Sequence, residues 1–285
     1  MTFQIRRMTA SDVPAAMRLK EAAGWNQIPQ DWLGYLELEP SGCFVGLVGD
    51  EVVASGTALA YDSKFGWIGM ILVDPEHRRR GYATRMMETC LAYLEGKRCL
   101  TQRLDATEAG AQVYQKFGFA QEAIVERWVR QAGATLPALE GDIQTSPIPD
   151  RQIAEISSWD AEAFGASRQE LLAWYARNKA PALLAINCGN PLGYVMGRVG
   201  SSAYQIGPLV AEDIQVASRL AVDFLSVIPS RSVIADVSRD NPAAIELLER
   251  LGFTPSRRLL RMYRGKYPPP GRKDRVYFLA GFEFG

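Results

Sequence analysis

Apolar positions in the first 132 residues change period from one segment to the next, which predicts a mixed chain of strands and helices. Phe3-Gln4-Ile5-Arg6 alternates as a short strand, and Thr9-Ala10-Ser11-Asp12 offers a helix start ahead of residues 13–23. Residues 43–48 and 52–61 are strand-like around the Gly49-Asp50 turn, so they form a hairpin, and residues 67–73 follow as another strand. Ala83, Met86, Met87, Cys90, Leu91 and Leu94 then recur at i, i+3, i+4, i+7, i+8 and i+11, the stripe of a helix packed on a core. Residues 100–106 predict a strand and 107–116 a helix that Thr107 caps and Gly118 closes. A last strand covers 125–131, and Pro137, Gly141, Pro147 and Pro149 then interrupt any periodicity, as in a linker.

The second half repeats this order. Val113-Tyr114-Gln115-Lys116-Phe117-Gly118-Phe119 matches Leu247-Leu248-Glu249-Arg250-Leu251-Gly252-Phe253 at an offset of 134 residues. The hairpin and the strand end Ile71-Leu72-Val73 recur at offsets of 139 and 137, so the second copy has lost residues around the segment that follows that strand. The expected organisation is a domain over 1–135, a linker over 136–149 and a second domain over 150–285, a division that 285 residues readily support.

Composition narrows the chemistry. Lys plus Arg and Asp plus Glu are 32 each, and the net charge of zero argues against a nucleic-acid or anionic-membrane footprint. No apolar run approaches the ~18 residues of a membrane span, and the N-terminus lacks a signal-peptide pattern, so a cytoplasmic chain is expected. Cys43, Cys90, Cys99 and Cys188 form no CxxC pair and His77 is the single histidine. Metal sites, disulfide scaffolds and Ser-His-Asp catalysis are therefore not expected.

One motif carries chemistry. The strand ending Ile71-Leu72-Val73 is followed by Arg78-Arg79-Arg80-Gly81-Tyr82-Ala83-Thr84, which opens the striped helix. The first N–H groups of a helix lack intrahelical partners and its dipole favours anions there. Gly81 and Ala83 let the chain approach a bulky pyrophosphate closely, and the arginines add charge-assisted donors. The spacing is neither a Walker loop nor a dinucleotide fingerprint.

In this order of elements, with Val-Tyr-x-Lys-x-Gly-Phe closing the later helix, residues 1–132 resemble the GCN5-related N-acetyltransferase (GNAT) family. The resemblance implies two tandem α/β (α+β) folds, each a mixed, mostly antiparallel sheet flanked by helices. It implies that Arg78, Arg79, Arg80, Gly81, Tyr82, Ala83 and Thr84 cradle the pyrophosphate of acetyl-CoA, while Ile71, Leu72, Val73 and Thr107 contact the thioester and pantetheine arm. Tyr114 is implied as the acid that protonates the departing thiolate, a role suited to a phenol with a pKa near ~10. The implied reaction is direct attack of a primary amine on the acetyl carbonyl. Thr107 stands where the family often has Asn, and Gly69 where it often has a glutamate base. The proton must then pass to water, to Asp62 or Glu108, or be absent from a substrate that arrives neutral.

After Gly207-Pro208-Leu209-Val210 the second copy has Glu212-Asp213 in place of the arginines and glycine, and Leu248 in place of Tyr114. It is expected not to bind acetyl-CoA productively and instead to wall the acceptor cleft or cover a sheet edge. Phe164, Trp159 and Trp174 have the spacing of core residues. Acceptor contacts are expected from Trp25, Asn26, Tyr61, Asp62 and Trp67, aromatics and a carboxylate suited to an amine. Arg257, Arg258, Arg261, Arg264 and Lys266 are expected on an exposed strand face. The partner is a small-molecule amine, with no nucleic acid and no membrane, for a monomer or homodimer. Rival readings are a non-catalytic acyl-CoA sensor and a transferase that uses a longer acyl-CoA.

Overall fold

The structure is a computed structural model that describes residues 2–139, 141–177, 181–187, 190–266 and 271–285. Cys188 lies outside the described residues; Cys43, Cys90 and Cys99 are buried free thiols. The first half runs β1 (Phe3–Arg7), α1 (Val13–Ala22), α2 (Pro29–Leu38), β2 (Cys43–Val48), β3 (Glu51–Tyr61) and β4 (Phe65–Val73). It continues with α3 (Tyr82–Gly96), β5 (Thr101–Ala106), α4 (Glu108–Gln115) and β6 (Ala120–Arg130). The second half has β7 (Thr145–Pro147), α5 (Ile153–Phe164), α6 (Gln169–Arg177), β8 (Leu183–Asn187), β9 (Asn190–Val199) and β10 (Tyr204–Ala211). It ends with α7 (Ile214–Val227), β11 (Val233–Ser238), α8 (Pro242–Arg250), β12 (Thr254–Gly265) and β13 (Val276–Phe278).

Helix α2 is absent from the periodicity reading. Its start carries no Ser or Thr cap; Asp31 instead reaches back to accept from the Ile28 N–H at 2.7 Å, and Pro29 stands at its first position. Within the expected linker, Thr145–Pro147 pairs with β8 and extends the sheet.

The described strands form one sheet in the order β1-β2-β3-β4-β5-β12-β6-β11-β10-β9-β8-β7, with β13 on β10. The last strands of the two repeats are exchanged. Strand β12 of the second half lies antiparallel to β5, and β6 of the first half lies antiparallel to β11. A division at 136–149 therefore separates the repeats along the chain but not two independently closed sheets.

The exchange corrects the expectation for the arginine-rich strand: β12 is central, and Arg261 on it finds a buried acid. Arg261 forks onto Asp105 through two bonds of 2.9 Å, across the β12–β5 register. Arg127, offset from Arg261 by the repeat's 134 residues, forks onto Asp236 through two bonds of 2.7 Å across β6–β11. Both carboxylates are buried, so each strand is held in register by a bidentate, charge-assisted pair. Among the remaining cations, Arg264 pairs with Glu95.

Helices α3 and α4 cover the first half through Met86, Met87, Cys90 and Ala111. Helices α7 and α8 cover the second through Leu220, Phe224, Leu247 and Leu248. On the other face α1, α2, α5 and α6 share one core, in which Tyr35, Trp174 and Tyr175 gather around Phe284 near the C-terminus and Trp32 packs on Tyr35. Phe164 packs on Tyr61 and Phe65 in this core, and Trp159 on Tyr194.

Removing one partner of a buried ion pair costs about 3–5 kcal/mol, because the other charge is left uncompensated. Arg261→Met should destabilise by that order in denaturant unfolding, and adding Asp105→Leu should recover part of it. A loss below about 1 kcal/mol for the single variant would contradict the clamp.

Candidate active site

Strands β4 and β5 run parallel, yet they register only at Gly66 with Gln102 and Trp67 with Arg103. Beyond that point the strands diverge around a cavity of about 140 Å³. The divergence coincides with a bulge in β4: Ser55 faces Leu72 and Thr57 faces Gly69, so two residues of β4 oppose one of β3. Met70 takes a left-handed φ of 53° within it, and its carbonyl accepts from Ser55 Oγ at 2.8 Å. Unpaired main chain of β4 thus borders the gap.

Strand alternation gives the cavity two walls. Ile68, Leu104, Ala106 and Tyr114 belong to the core beneath α3 and α4. Gly69, Trp25, Gln27, Arg127, Arg257 and Phe282 line the opposite side. The gap therefore connects the two faces of the sheet at the point where its hydrogen bonding stops.

Thr107 lines this cavity and caps α4, accepting from the Gly110 N–H at 3.1 Å. Two turns on, Tyr114 points its half-buried ring at the cavity, with Phe119 behind it at 6.3 Å between ring centroids. Its hydroxyl has no hydrogen-bond partner among the described residues. Burial pushes the phenol up to about 12, with a small contribution from Cys90, so it carries its proton throughout the neutral range.

Ile71 lines the cavity, whereas Leu72 faces the other core and Val73 accepts from Arg78 Nε at 3.3 Å through its carbonyl. Arg78, Arg79 and Arg80 are exposed, and Arg79 is left-handed at φ 61°. Gly81 caps α3 at φ 78°, a conformation costly for other residues, and a Cβ there would meet nothing within 4 Å. The loop is thus an open cradle of main-chain N–H groups ringed by cations. Tyr82 anchors it by stacking on Phe3 at 4.0 Å; Ala83 and Thr84 sit half-buried in the first turn.

The acceptor-side expectations are redistributed. Trp25 lines the cavity. Asn26 does not; its side chain is used up on the turn between β9 and β10, donating to the Ala203 carbonyl at 3.0 Å and accepting from the Ser202 and Ala203 N–H groups. Tyr61 donates to the Phe284 carbonyl at 2.8 Å and Trp67 to that of Phe282 at 3.0 Å, so both fasten the C-terminal segment and neither lines the cavity. Asp62 accepts from the Ser167 N–H at 2.8 Å in a separate cleft. Glu108 is exposed on α4 and does not line the cavity either.

The glycine at position 69 has a physical reason. A Cβ there would stand 3.1 Å from the Glu283 carbonyl oxygen and 3.3 Å from Thr57 Oγ1, because the C-terminal segment crosses over it. Glu283 itself is a cavity residue that sequence reasoning missed. Its carboxylate accepts from Gln27 Nε2 at 2.8 Å and pairs with Arg198, which also pairs with Asp31 at 2.7 Å. Burial alone would raise its pKa, but Arg198, Arg127 and the Gln27 bond outweigh burial and hold it below the usual range. A carboxylate so held is a weak proton acceptor.

The corresponding gap of the second half is filled. Strands β10 and β11 register in parallel only from Tyr204 to Ile206, but β13 then pairs with β10 at Leu209 and Val210. The Leu279 N–H donates to the Asp236 carbonyl of β11 at 2.7 Å, completing the bridge. Helix α7 starts at Asp213, whose side chain accepts from the Val216 N–H at 2.9 Å, and Leu248 is buried in the core.

A strand pair opening beside a glycine-capped helix, duplicated and closed in the second copy, defines a class of acyl-CoA-dependent transferases. The chain belongs to the GNAT family: the acetyltransferase (GNAT) family model matches residues 11–119, and the acetyltransferase (GNAT) domain model matches 156–278. It is 27% identical over 266 residues to the holothin acyltransferase of Pseudoalteromonas sp. (strain SANK 73390), covering 93% of this chain and 88% of that protein. A putative acetyltransferase from Pyrococcus horikoshii matches with a TM-score of 0.85 at 25% identity, over 99% of this chain and 96% of that one. A tandem GNAT protein from the clavulanic acid biosynthesis pathway shares the fold, with a TM-score of 0.67 at 18% identity, over 94% and 99%. Among the described residues no three or more His, Cys, Asp or Glu could hold a metal, and no helix is long and apolar enough to cross a membrane.

Gly81→Val places a β-branched side chain in a left-handed conformation at the cradle. Calorimetry should show acetyl-CoA affinity falling at least tenfold, with the melting temperature lowered by only several degrees from the backbone strain; unaltered affinity would remove the loop from the binding site.

Proposed function

We propose that the chain transfers an acetyl group from acetyl-CoA to a primary amine of a small molecule, using the first-half cavity. The observation that carries this reading is the meeting, in one opening of the sheet, of the unpaired β4 main chain with the partnerless hydroxyl of Tyr114. The pyrophosphate sits on the first turn of α3 under Arg78, Arg79 and Arg80, and the pantetheine arm takes the place beside β4 that β13 occupies beside β10. Thr107 stands at the arm's inner end. The relative named for acyl transfer supports the reaction class.

The acyl oxygen is polarised by N–H groups of the bulged strand, and attack by the amine forms the C–N bond as the C–S bond breaks. Tyr114 gives its proton to the leaving sulfur and recovers one from solvent. The fully protonated phenol can donate at the moment negative charge appears on sulfur. With no carboxylate at position 69, where the C-terminal segment crowds any side chain, and Glu283 locked by Gln27 and Arg198, the amine's own proton leaves to water.

Thiol release measured across a panel of primary amines tests this. Tyr114→Phe should lower kcat by about a hundredfold, in the range of general-acid effects, with KM for acetyl-CoA within about threefold. An unchanged kcat would exclude Tyr114 as the acid, and tight acetyl-CoA binding without turnover of any amine would favour a sensor.

The pH dependence follows from the same groups. Without an enzyme base, kcat/KM should rise with pH to the acceptor's own pKa, so two amines of different basicity should show correspondingly displaced inflections. Tyr114, titrating at about 12, should impose no fall below pH 10. An inflection common to all amines would instead reveal an enzyme base.

A further inference from the structure

Four charged side chains line the first-half cavity: Asp105, Arg127, Arg257 and Glu283. Three are ion-paired at short range, Asp105 with Arg261, Arg127 with Asp236, and Glu283 with Arg198, which Asp31 shares. Arg257 has neither a hydrogen bond nor an ion pair among the described residues, although it is half-buried. It stands on β12 directly across from Arg127, on the face away from α3 and α4. Burial and the neighbouring Arg127 charge disfavour its protonated form and outweigh the attraction of Asp236. The adjoining Leu259 packs with Val125 and Leu279, a cluster to which Arg257 does not belong. A guanidinium whose N–H groups have no partner among the described residues presents planar donors suited to a carboxylate.

We propose that Arg257 is an anion subsite for the acceptor, which would be an amine that also carries a carboxylate. The wall with Trp25, Gln27 and Phe282 receives that acceptor, while the arm of the donor lies against Ile68, Leu104 and Tyr114. Trp25 offers an apolar face to the chain joining the two groups, and Arg257 draws the carboxylate so that the amine is left toward Gly69 and the β4 main chain. Asp236 occupies the guanidinium of Arg127, so Arg257 is the lining cation whose donors no side chain among the described residues takes up. The inference rests on the acceptor reading of this cavity, but binding can test it without turnover.

The probes are N-acetylglycine, N-acetyl-β-alanine and N-acetyl-γ-aminobutyrate, each beside its carboxamide, titrated calorimetrically into the CoA-loaded full-length protein. At least one carboxylate should bind tenfold or more tightly than its carboxamide. Arg257→Gln should abolish the difference while changing carboxamide affinity less than threefold, and Arg257→Lys should keep part of it. Thermal unfolding of both variants should match the parent, and the lysine variant keeps the assignment testable if the glutamine variant fails to fold. Equal affinity for acids and amides, binding of neither, or a uniform loss in Arg257→Gln would overturn the proposal. So would Arg257-dependent preference for succinyl-CoA over butyryl-CoA, which would place the anion on the donor. Carboxylate binding that depends on Arg257 without any amine turnover would leave this inference standing and sink the transferase reading.

Discussion

Two ion pairs hold the architecture together. Arg261–Asp105 and Arg127–Asp236 are the same contact made twice, once in each direction, because each repeat lends its last strand to the other. A carboxylate buried in the middle of a sheet is costly unless a well-placed partner answers it, and in both copies that partner comes from the other half. The exchange therefore makes assembly of the halves and neutralisation of the core one event. Nearby, Arg198 extends the polar system by joining Asp31 of α2, Glu283 and Gln205, and Gln205 in turn donates to Asp236.

The cavity inherits this construction. One wall comes from β4, β5 and α4, while Arg257 and Leu259 on the lent strand β12, with Phe282 and Glu283 near the C-terminus, complete the other side. Duplication has also produced opposite outcomes from one topology. Both parallel strand pairs separate after a few residues, but the first separation is open and the second holds β13. At the neighbouring helix starts, Gly81 lies in an exposed cationic loop, whereas the side chain of Asp213 caps its own helix. The charges at the two helix starts and the filling of one strand gap point the same way: in the second copy the chain itself occupies both places.

Much of this was legible from local pattern. Helix stripes, the hairpin turn, the Arg-Gly helix start and the repeat offset are properties of adjacent residues, and the corresponding elements differ from expectation by a few residues at their ends. Strand exchange left no such trace. Arg127 and Arg261 share the 134-residue offset, but nothing in that spacing tells whether each meets the aspartate of its own repeat or of the other. For the same reason the arginine strand was expected to be exposed. Asn26, Tyr61, Asp62 and Trp67 have the chemistry of acceptor contacts, yet their partners lie about a hundred residues or more away along the chain and occupy them. Gly69 was a departure without a cause until the C-terminal segment supplied one.

The account stands on one asymmetry, an open strand gap in the first repeat and a filled one in the second. Calorimetric titration of acetyl-CoA into the full-length protein addresses it directly, through the number of sites per chain. One site is predicted; two sites would contradict the closure by β13, and none would contradict the reading of the first gap as the place where the thioester is bound.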